Sequence, residues 1–452
     1  MLVLISFLVD KCHSAHGINV AYVASARFAG IGKTAAARFC SFMSLNNPTS
    51  EFVQIQNILH EGFRKRAKAS IKRAIEECQQ NDISTGGDGE TLRASFDGTW
   101  MKRGRTSKVG MVAAIGPNNK VVGLEVLHKY CPNCKGKHCD QGDKCAINYQ
   151  GSSGGMEPVG AVNIIKGIHK ETGVKVTEYL GDGDSRGFSK AQAEVDWNIE
   201  KLECVNHVAK RMGARLRKRK AEKKGVKLPN GRKGLGGLGQ LTDNRIDKIQ
   251  QYYNHIVRSN PGNPQQMQRY ILAMYKHISS TDEQPDHDDC NPRVCKYLLA
   301  KANNQPYSHK DRHHFHISPA VMVHVEDIFV ALANIDLLKK CAHGMTQNAN
   351  ECFNSTVWNL LSKNGFANRN LVEWSADIAI CLFNEGNLPL LEVLSALHVP
   401  VGHGLIQNCI RADKLRVAKK RKIKEDAKAS RKRRLRGQEE QYGDDYQPGL
   451  CD

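Results

Sequence analysis

Between Leu92 and Asp182 the order of apolar runs and turns leaves few folds open to this chain. Leu92–Trp100 alternates and ends in a turn, Val109–Ile115 is apolar, Gly116-Pro117-Asn118-Asn119 is a strong turn, and Val121–Leu127 is apolar again. Glu157–Glu171 then sets Val159, Val162, Ile165 and Ile168 on one helical face, and Val174–Leu180 reads as a further strand running into Asp182.

Three antiparallel strands, a helix and another strand predict an α/β architecture: a ribonuclease H-like core, with a mixed sheet and flanking helices. That order places Asp97 on the first, central strand and Asp182 at the end of the fourth. A third acid, Glu351, falls in the amphipathic stretch Thr346–Leu361, which reads as a helix with Thr346 as N-cap and with Glu351 and Asn354 on one face. The acids lie 85 and 169 residues apart, and the second gap requires a helical insertion before the last helix. The expected organisation is an N-terminal helical region over 1–82, a core over 90–200 and 341–400, an insertion over 201–340, and a basic, disordered tail over 411–452.

Carboxylates gathered from distant strands and helices hold divalent metal ions. Two such ions about 3.5–4 Å apart activate a nucleophile and stabilise a leaving oxygen in phosphoryl transfer. Two Mg²⁺ ions, with Mn²⁺ as substitute, suit all-oxygen ligands. In Asp182-Gly183-Asp184 the strand-terminal Asp182 is the better ligand, with Asp184 in reserve. A Ca²⁺ loop of the EF-hand type fails there, because Arg186 and Ala193 occupy ligand positions.

The 452-residue chain carries 66 Lys+Arg against 46 Asp+Glu, a formal charge of +20 that favours a polyanionic partner. The excess is concentrated. Residues 210–233 hold twelve basic side chains against Glu222 alone, and residues 411–436 hold fourteen against three acids. Lys419-Lys420-Arg421-Lys422 and Arg431-Lys432-Arg433-Arg434 resemble a bipartite nuclear signal, so a nuclear location is expected. The apolar run 2–9 is too short to span a bilayer, and no membrane association is expected. A start within a longer protein explains this run better than a secretion signal, since no basic residue precedes it and Asp10-Lys11 closes it.

Residues 21–82 read as helices, with Phe52, Ile55, Ile58, Leu59 and Phe63 at helical spacing. Gly30-Ile31-Gly32-Lys33-Thr34 fails as a phosphate-binding loop, since Arg27 stands where its first glycine must be, and it reads as a helix start. Gln79–Gly89 reads as a linker.

Fifteen cysteines at irregular spacing suit reduced thiols with some structural zinc better than a disulfide framework. Cys131, Cys134, Cys139 and Cys145 can close a tetrahedral site, the alternative being unligated thiols. Cys204-x2-His207 offers half a site; His287-x2-Cys290 and Cys295 are candidates for the other half, which the spacing leaves open, and buried core side chains are the alternative.

Taken together, the chain resembles the Mutator-like transposases, in particular an animal branch. The resemblance rests on Phe96-Asp97-Gly98-Thr99-Trp100, on Cys145-x2-Asn148-x2-Gly151-Ser152-Ser153-Gly154 with Met156-Glu157, and on Gly181-Asp182-Gly183-Asp184-Ser185. It continues through Cys204-x2-His207-Val208 with Lys210-Arg211, and through Thr346-Gln347-Asn348 into Asn350-Glu351 and Phe353-Asn354. It implies an Asp-Asp-Glu triad of Asp97, Asp182 and Glu351. It also implies cut-and-paste chemistry on double-stranded DNA, at transposon ends and target, by a homo-oligomer. His287-Asp-Asp-Cys290-Asn291-Pro292 departs from the family's His-x2-Cys-Pro, and no N-terminal DNA-binding zinc finger precedes residue 90. The competing classes are a domesticated, non-catalytic DNA-binding protein and a nuclease without strand transfer.

Overall fold

The computed structural model describes residues 11–12, 15–46, 50–102, 106–131, 134, 145–183, 186–229, 231–237, 240–292, 295–309, 315–361, 367–399 and 401–418. The described residues form two compact units: those within 11–179, 186–200 and 348–418, and those within 180–183 and 201–347.

In the first unit the short antiparallel pair Lys11–Cys12 and Ala15–His16 precedes α1 (Gly17–Phe28), α2 (Lys33–Phe42) and the long α3 (Phe52–Ser84). Gly32 is the N-cap of α2, so the glycine-lysine motif is the helix start that the sequence predicts. A mixed five-stranded sheet follows: β1 (Thr91–Trp100), β2 (Val109–Ile115), β3 (Val121–His128), β4 (Lys175–Gly181) and β5 (Glu200–Glu203), in the order β3-β2-β1-β4-β5. The β1–β2 and β2–β3 pairs are antiparallel. Helix α4 (Met156–Thr172) leads into β4, and α5 (Arg186–Ala193) follows it.

Strand β2 is buried at all seven positions, as a strand covered on both faces must be. Its alternation sorts side chains between two cores. Met111, Ala113 and Ile115 join a core that includes Leu59 and Phe63 of α3 and Trp374. Val112 and Ala114 join a second one, with Phe96, Val176 and, from α4, Ile165.

The edge strand β3 is closed at each end by an asparagine. The Asn384 side chain accepts from Val121 N (2.7 Å) and donates to Val121 O (3.1 Å). Asn148 accepts from His128 N (2.7 Å) and donates to Val126 O (2.8 Å). Amide side chains thus take the place of a neighbouring strand and blunt an edge open to pairing.

The last helices of this unit are numbered below in chain order, after those of the second unit. There, α6 (Val205–Glu222), α7 (Asp243–Ser259), α8 (Pro264–Ser279), α9 (Lys296–Ala302), α10 (Glu326–Leu332) and α11 (Ile335–Lys339) surround their own core. Val205, Val208, Met212 and Leu216 form the buried stripe of α6, packed with residues such as Ile249 and Tyr253 of α7 and Met274 of α8. Thr242 caps α7 by accepting from Arg245 N, and Asn263 with Pro264 starts α8.

The chain returns to the first unit with α12 (Asn348–Leu360), α13 (Arg369–Glu385) and α14 (Leu388–Ala396). Glu385 ends α13, where a negative charge opposes the helix dipole. It is held there by Arg66 (2.5 and 2.9 Å) and Arg73 (2.9 and 3.0 Å) of α3. Burial pushes its carboxyl upward, but the two guanidinium groups outweigh this and bring it down to about 2. A carboxylate depressed in the fold contributes stability that is present above its unfolded value, about 4.3. That contribution is lost as pH falls from there toward about 2. Glu385→Gln is therefore expected to lower stability at neutral pH and to flatten its decline below about pH 4.3, as read by urea unfolding across pH; an unchanged acid limb refutes the assignment.

Several elements differ from the sequence expectations. Gln79–Ser84 continues α3 rather than forming a linker, and Asp82 caps the following turn through Gly89 N (3.0 Å). Strand β5 is not among the elements the sequence predicts. Helix α12 begins at Asn348, so Thr346 lies too early to be its N-cap. Residues 403–418 are helical, while the tail beyond 418 lies outside the described residues.

Candidate active site and metal centres

Asp97 sits on the central strand β1, paired with Ala113 of β2, so it shares the face on which α12 packs. Three alternate residues of β1 meet three residues of α12 spaced four apart. The Ser95 hydroxyl donates to Asn350 Oδ1 (2.8 Å), and Asn350 Nδ2 donates to Ser95 O (2.9 Å) and Ala113 O (3.1 Å). Asn354 Nδ2 donates to Asp97 Oδ2 (2.8 Å), and Trp358 Nε1 donates to Thr99 Oγ1 (2.9 Å). Two strand residues advance about 6.6 Å and four helical residues about 6.0 Å, so the two rows stay in step for three rungs.

Gly98 and Trp100 complete the motif on the other side. A Cβ at Gly98 would lie 2.9 Å from the Glu157 carboxylate of α4, and Trp100 Nε1 donates to Ser153 O (2.9 Å). Glu351 lies between Asn350 and Asn354 on α12 and is exposed, as is Cys352. The first unit therefore ties the strand of Asp97 to the helix of Glu351 through a neutral amide that brings no positive charge.

Asp182 directly follows β4, is exposed, and is grouped with the second unit. A Cβ at Gly183 would fall 2.1 Å from the Arg211 guanidinium, so glycine lets that cation lie against the backbone beside Asp182. Arg211 is itself held by Glu203 (2.5 Å). Asp184 lies outside the described residues.

Cys204 and His207 flank the start of α6. His207 Nδ1 lies 2.9 Å from Gln347 Oε1, and Gln347 N donates to Cys204 Sγ (3.3 Å). The hydrogen bond with Cys204 raises the His207 imidazole, and the Asp182 charge adds to this. Burial pushes the Cys204 thiol up, but its bonding with His207 more than offsets this and leaves it lowered.

Two groups of metal-ligating side chains converge among the described residues. Cys131, Cys134 and Cys145 have sulfurs within 4.8 Å of one another, and Cys139 lies outside the described residues. His287 and Cys290 converge with His277 and Cys295, not with Cys204 and His207. The expected pairing of those two halves gives way to this local group. His277 carries no ligand signal in the sequence because it occupies the buried stripe of α8 as an apolar residue would.

Asp97, Asp182 and Glu351 each carry a carboxylate, a hard oxygen donor of the kind that Mg²⁺ prefers. Sequence comparison places the chain among the transposases. It belongs to the Mutator-like transposase family, whose model matches residues 10–295. That range holds Asp97, Asp182 and both thiol groups, while Glu351 lies beyond it. No curated protein matches the sequence. No helix among the described residues is long and apolar enough to cross a membrane.

Proposed function

We propose that this protein is a cut-and-paste DNA transposase on a ribonuclease H-like core, with Asp97, Asp182 and Glu351 as its catalytic triad. The observation that carries the reading is the Asn354–Asp97 hydrogen bond, which ties the helix of the third acid to the strand of the first. The sheet order β3-β2-β1-β4-β5 supports the core assignment. The three carboxylates would hold two Mg²⁺ ions, or Mn²⁺, which when bound activate water or a 3′-hydroxyl and stabilise the leaving oxygen. Within the protein, Asn354 orients the Asp97 carboxylate, and Arg211 beside Gly183 supplies positive charge next to Asp182 for a DNA phosphate. Double-stranded DNA is the partner, a homo-oligomer holds the two ends together, and the nucleus is the site of action.

The test is purified full-length protein with Mg²⁺ or Mn²⁺ and DNA bearing the inverted repeats that flank its coding sequence. Cleavage followed by joining is expected. Binding without metal-dependent cleavage overturns the enzyme reading, and cleavage without joining overturns transposition in favour of a nuclease.

Arg215 and Lys218 are exposed on α6, the most basic helix of the second unit. Each phosphate contact contributes about −0.9 to the slope of log affinity against log salt. Replacing both with alanine is expected to reduce that slope by about 2 in fluorescence anisotropy titrations. An unchanged slope removes this face from the interface.

A further inference from the structure

The segment from Ser280 to Cys295 joins α8 to α9, and its composition does not explain how it is held. It carries aspartates at 282, 286, 288 and 289 and, apart from its cysteines, two prolines and Val294, no apolar side chain. Yet His287, Cys290 and Cys295 are buried, together with His277 from the last turn of α8. The apolar neighbours are few: Ala273, Tyr297 and Leu298. A loop without a core of its own needs a cross-link.

The donors converge. His287 Nδ1 lies 2.8 Å from His277 Nδ1 and 3.8 and 3.6 Å from the sulfurs of Cys290 and Cys295; His277 Nδ1 lies 3.5 Å from Cys290 Sγ. All four ligand atoms fall within 4.8 Å of one another. Two sulfurs and two imidazole nitrogens in a buried group match a closed tetrahedral zinc site, with no position left for substrate.

A second observation fixes which nitrogen of His287 faces the group. Asp282 Oδ1 accepts from His309 N (2.7 Å) and lies 2.7 Å from His309 Nδ1. A carboxylate accepts only, so His309 Nδ1 carries a proton, and in the neutral ring its Nε2 is then an acceptor. That Nε2 lies 2.9 Å from His287 Nε2, which therefore donates, leaving the His287 Nδ1 lone pair directed at His277, Cys290 and Cys295. A carboxylate–histidine chain behind a ligating histidine is the usual outer support of a zinc ligand.

We propose that His277, His287, Cys290 and Cys295 bind one structural zinc ion, with Asp282 and His309 setting the tautomer of His287. The site is independent of the acid triad and of whether the protein cuts DNA. Without metal, a His277 Nδ1–H donated to His287 Nδ1 is the competing arrangement.

The experiment measures zinc by mass spectrometry in full-length protein purified without chelator, and repeats it after Co²⁺ exchange. Cys290→Ser/Cys295→Ser is expected to lose one equivalent of zinc and the matching share of the thiolate–cobalt absorption, whereas Cys131→Ser/Cys134→Ser leaves this centre loaded. Should the first pair fail to fold, His309→Phe retains all four ligands and the ring stacking but removes the acceptor. It is expected to weaken zinc retention against a competing chelator by about 10–100-fold, with circular dichroism unchanged. Unchanged zinc content in the folded cysteine pair, or unchanged retention in His309→Phe, overturns the proposal.

Discussion

Asp97→Asn is expected to abolish metal-dependent DNA cleavage and joining, by at least about 10³-fold, while the protein folds as before. A metal acting as Lewis acid supplies several kcal/mol to the transition state, and each 1.36 kcal/mol is a factor of ten. The substitution exchanges a charged oxygen donor for a neutral one of the same size. The new amide oxygen can still accept from Asn354 Nδ2, which now bonds Asp97 Oδ2 at 2.8 Å, so the packing of α12 on β1 has no reason to change. The measurement is single-turnover cleavage of repeat-end DNA, with thermal unfolding as the control. A variant within tenfold of the parent removes Asp97 from the chemistry.

The second large effect is on stability. Asn350 is fully buried and satisfies the Ser95 hydroxyl and two backbone carbonyls, those of Ser95 and Ala113. Asn350→Leu keeps much of the volume and supplies none of these bonds. An unsatisfied buried polar group costs about 1–3 kcal/mol, and some of the loss is recovered by the leucine's own burial. A net loss of about 3 kcal/mol in urea unfolding is expected. The neighbouring exposed Glu351→Gln is expected to stay within about 0.5 kcal/mol. Equal stability of the two variants contradicts a structural role for the buried amide.

Much of the sheet was legible because its strands carry their own signals. Val109–Ile115 and Val121–Leu127 are bounded by a Gly-Pro-Asn-Asn turn, and each observed strand falls within a residue of the expected bounds. Strand β5 spans four residues, too few for an alternation to register. Gln79–Ser84 is polar like a linker, yet it continues a helix whose earlier turns already pack on α13, and a tertiary contact far back in the helix leaves no local trace.

The candidate site was legible in its acids but not in its supports. Asn354 can be set on a face with Glu351 and Asn350 beside it, but their supporting roles carry no signal, because an asparagine that fills a buried hydrogen-bonding role has the same composition as one facing water. The thiol groups show the reverse error. His287-x2-Cys290 is visible as a ligand pair, but spacing alone leaves its partners open, with the distant Cys204 and His207 as candidates. The nearer His277 sits ten residues before His287 on a buried helical stripe.

The three rungs between β1 and α12 also make a statement about ancestry that can be read without touching the protein. Asn350 and Ser95 lie 255 residues apart, and each satisfies the other in a place closed to solvent. Neither can change alone without stranding a polar group, so the two positions form one heritable unit. Among relatives of this chain, loss of the hydroxyl at 95 is expected to accompany loss of the amide at 350, and a family in which they vary independently must have found another way to seat the helix.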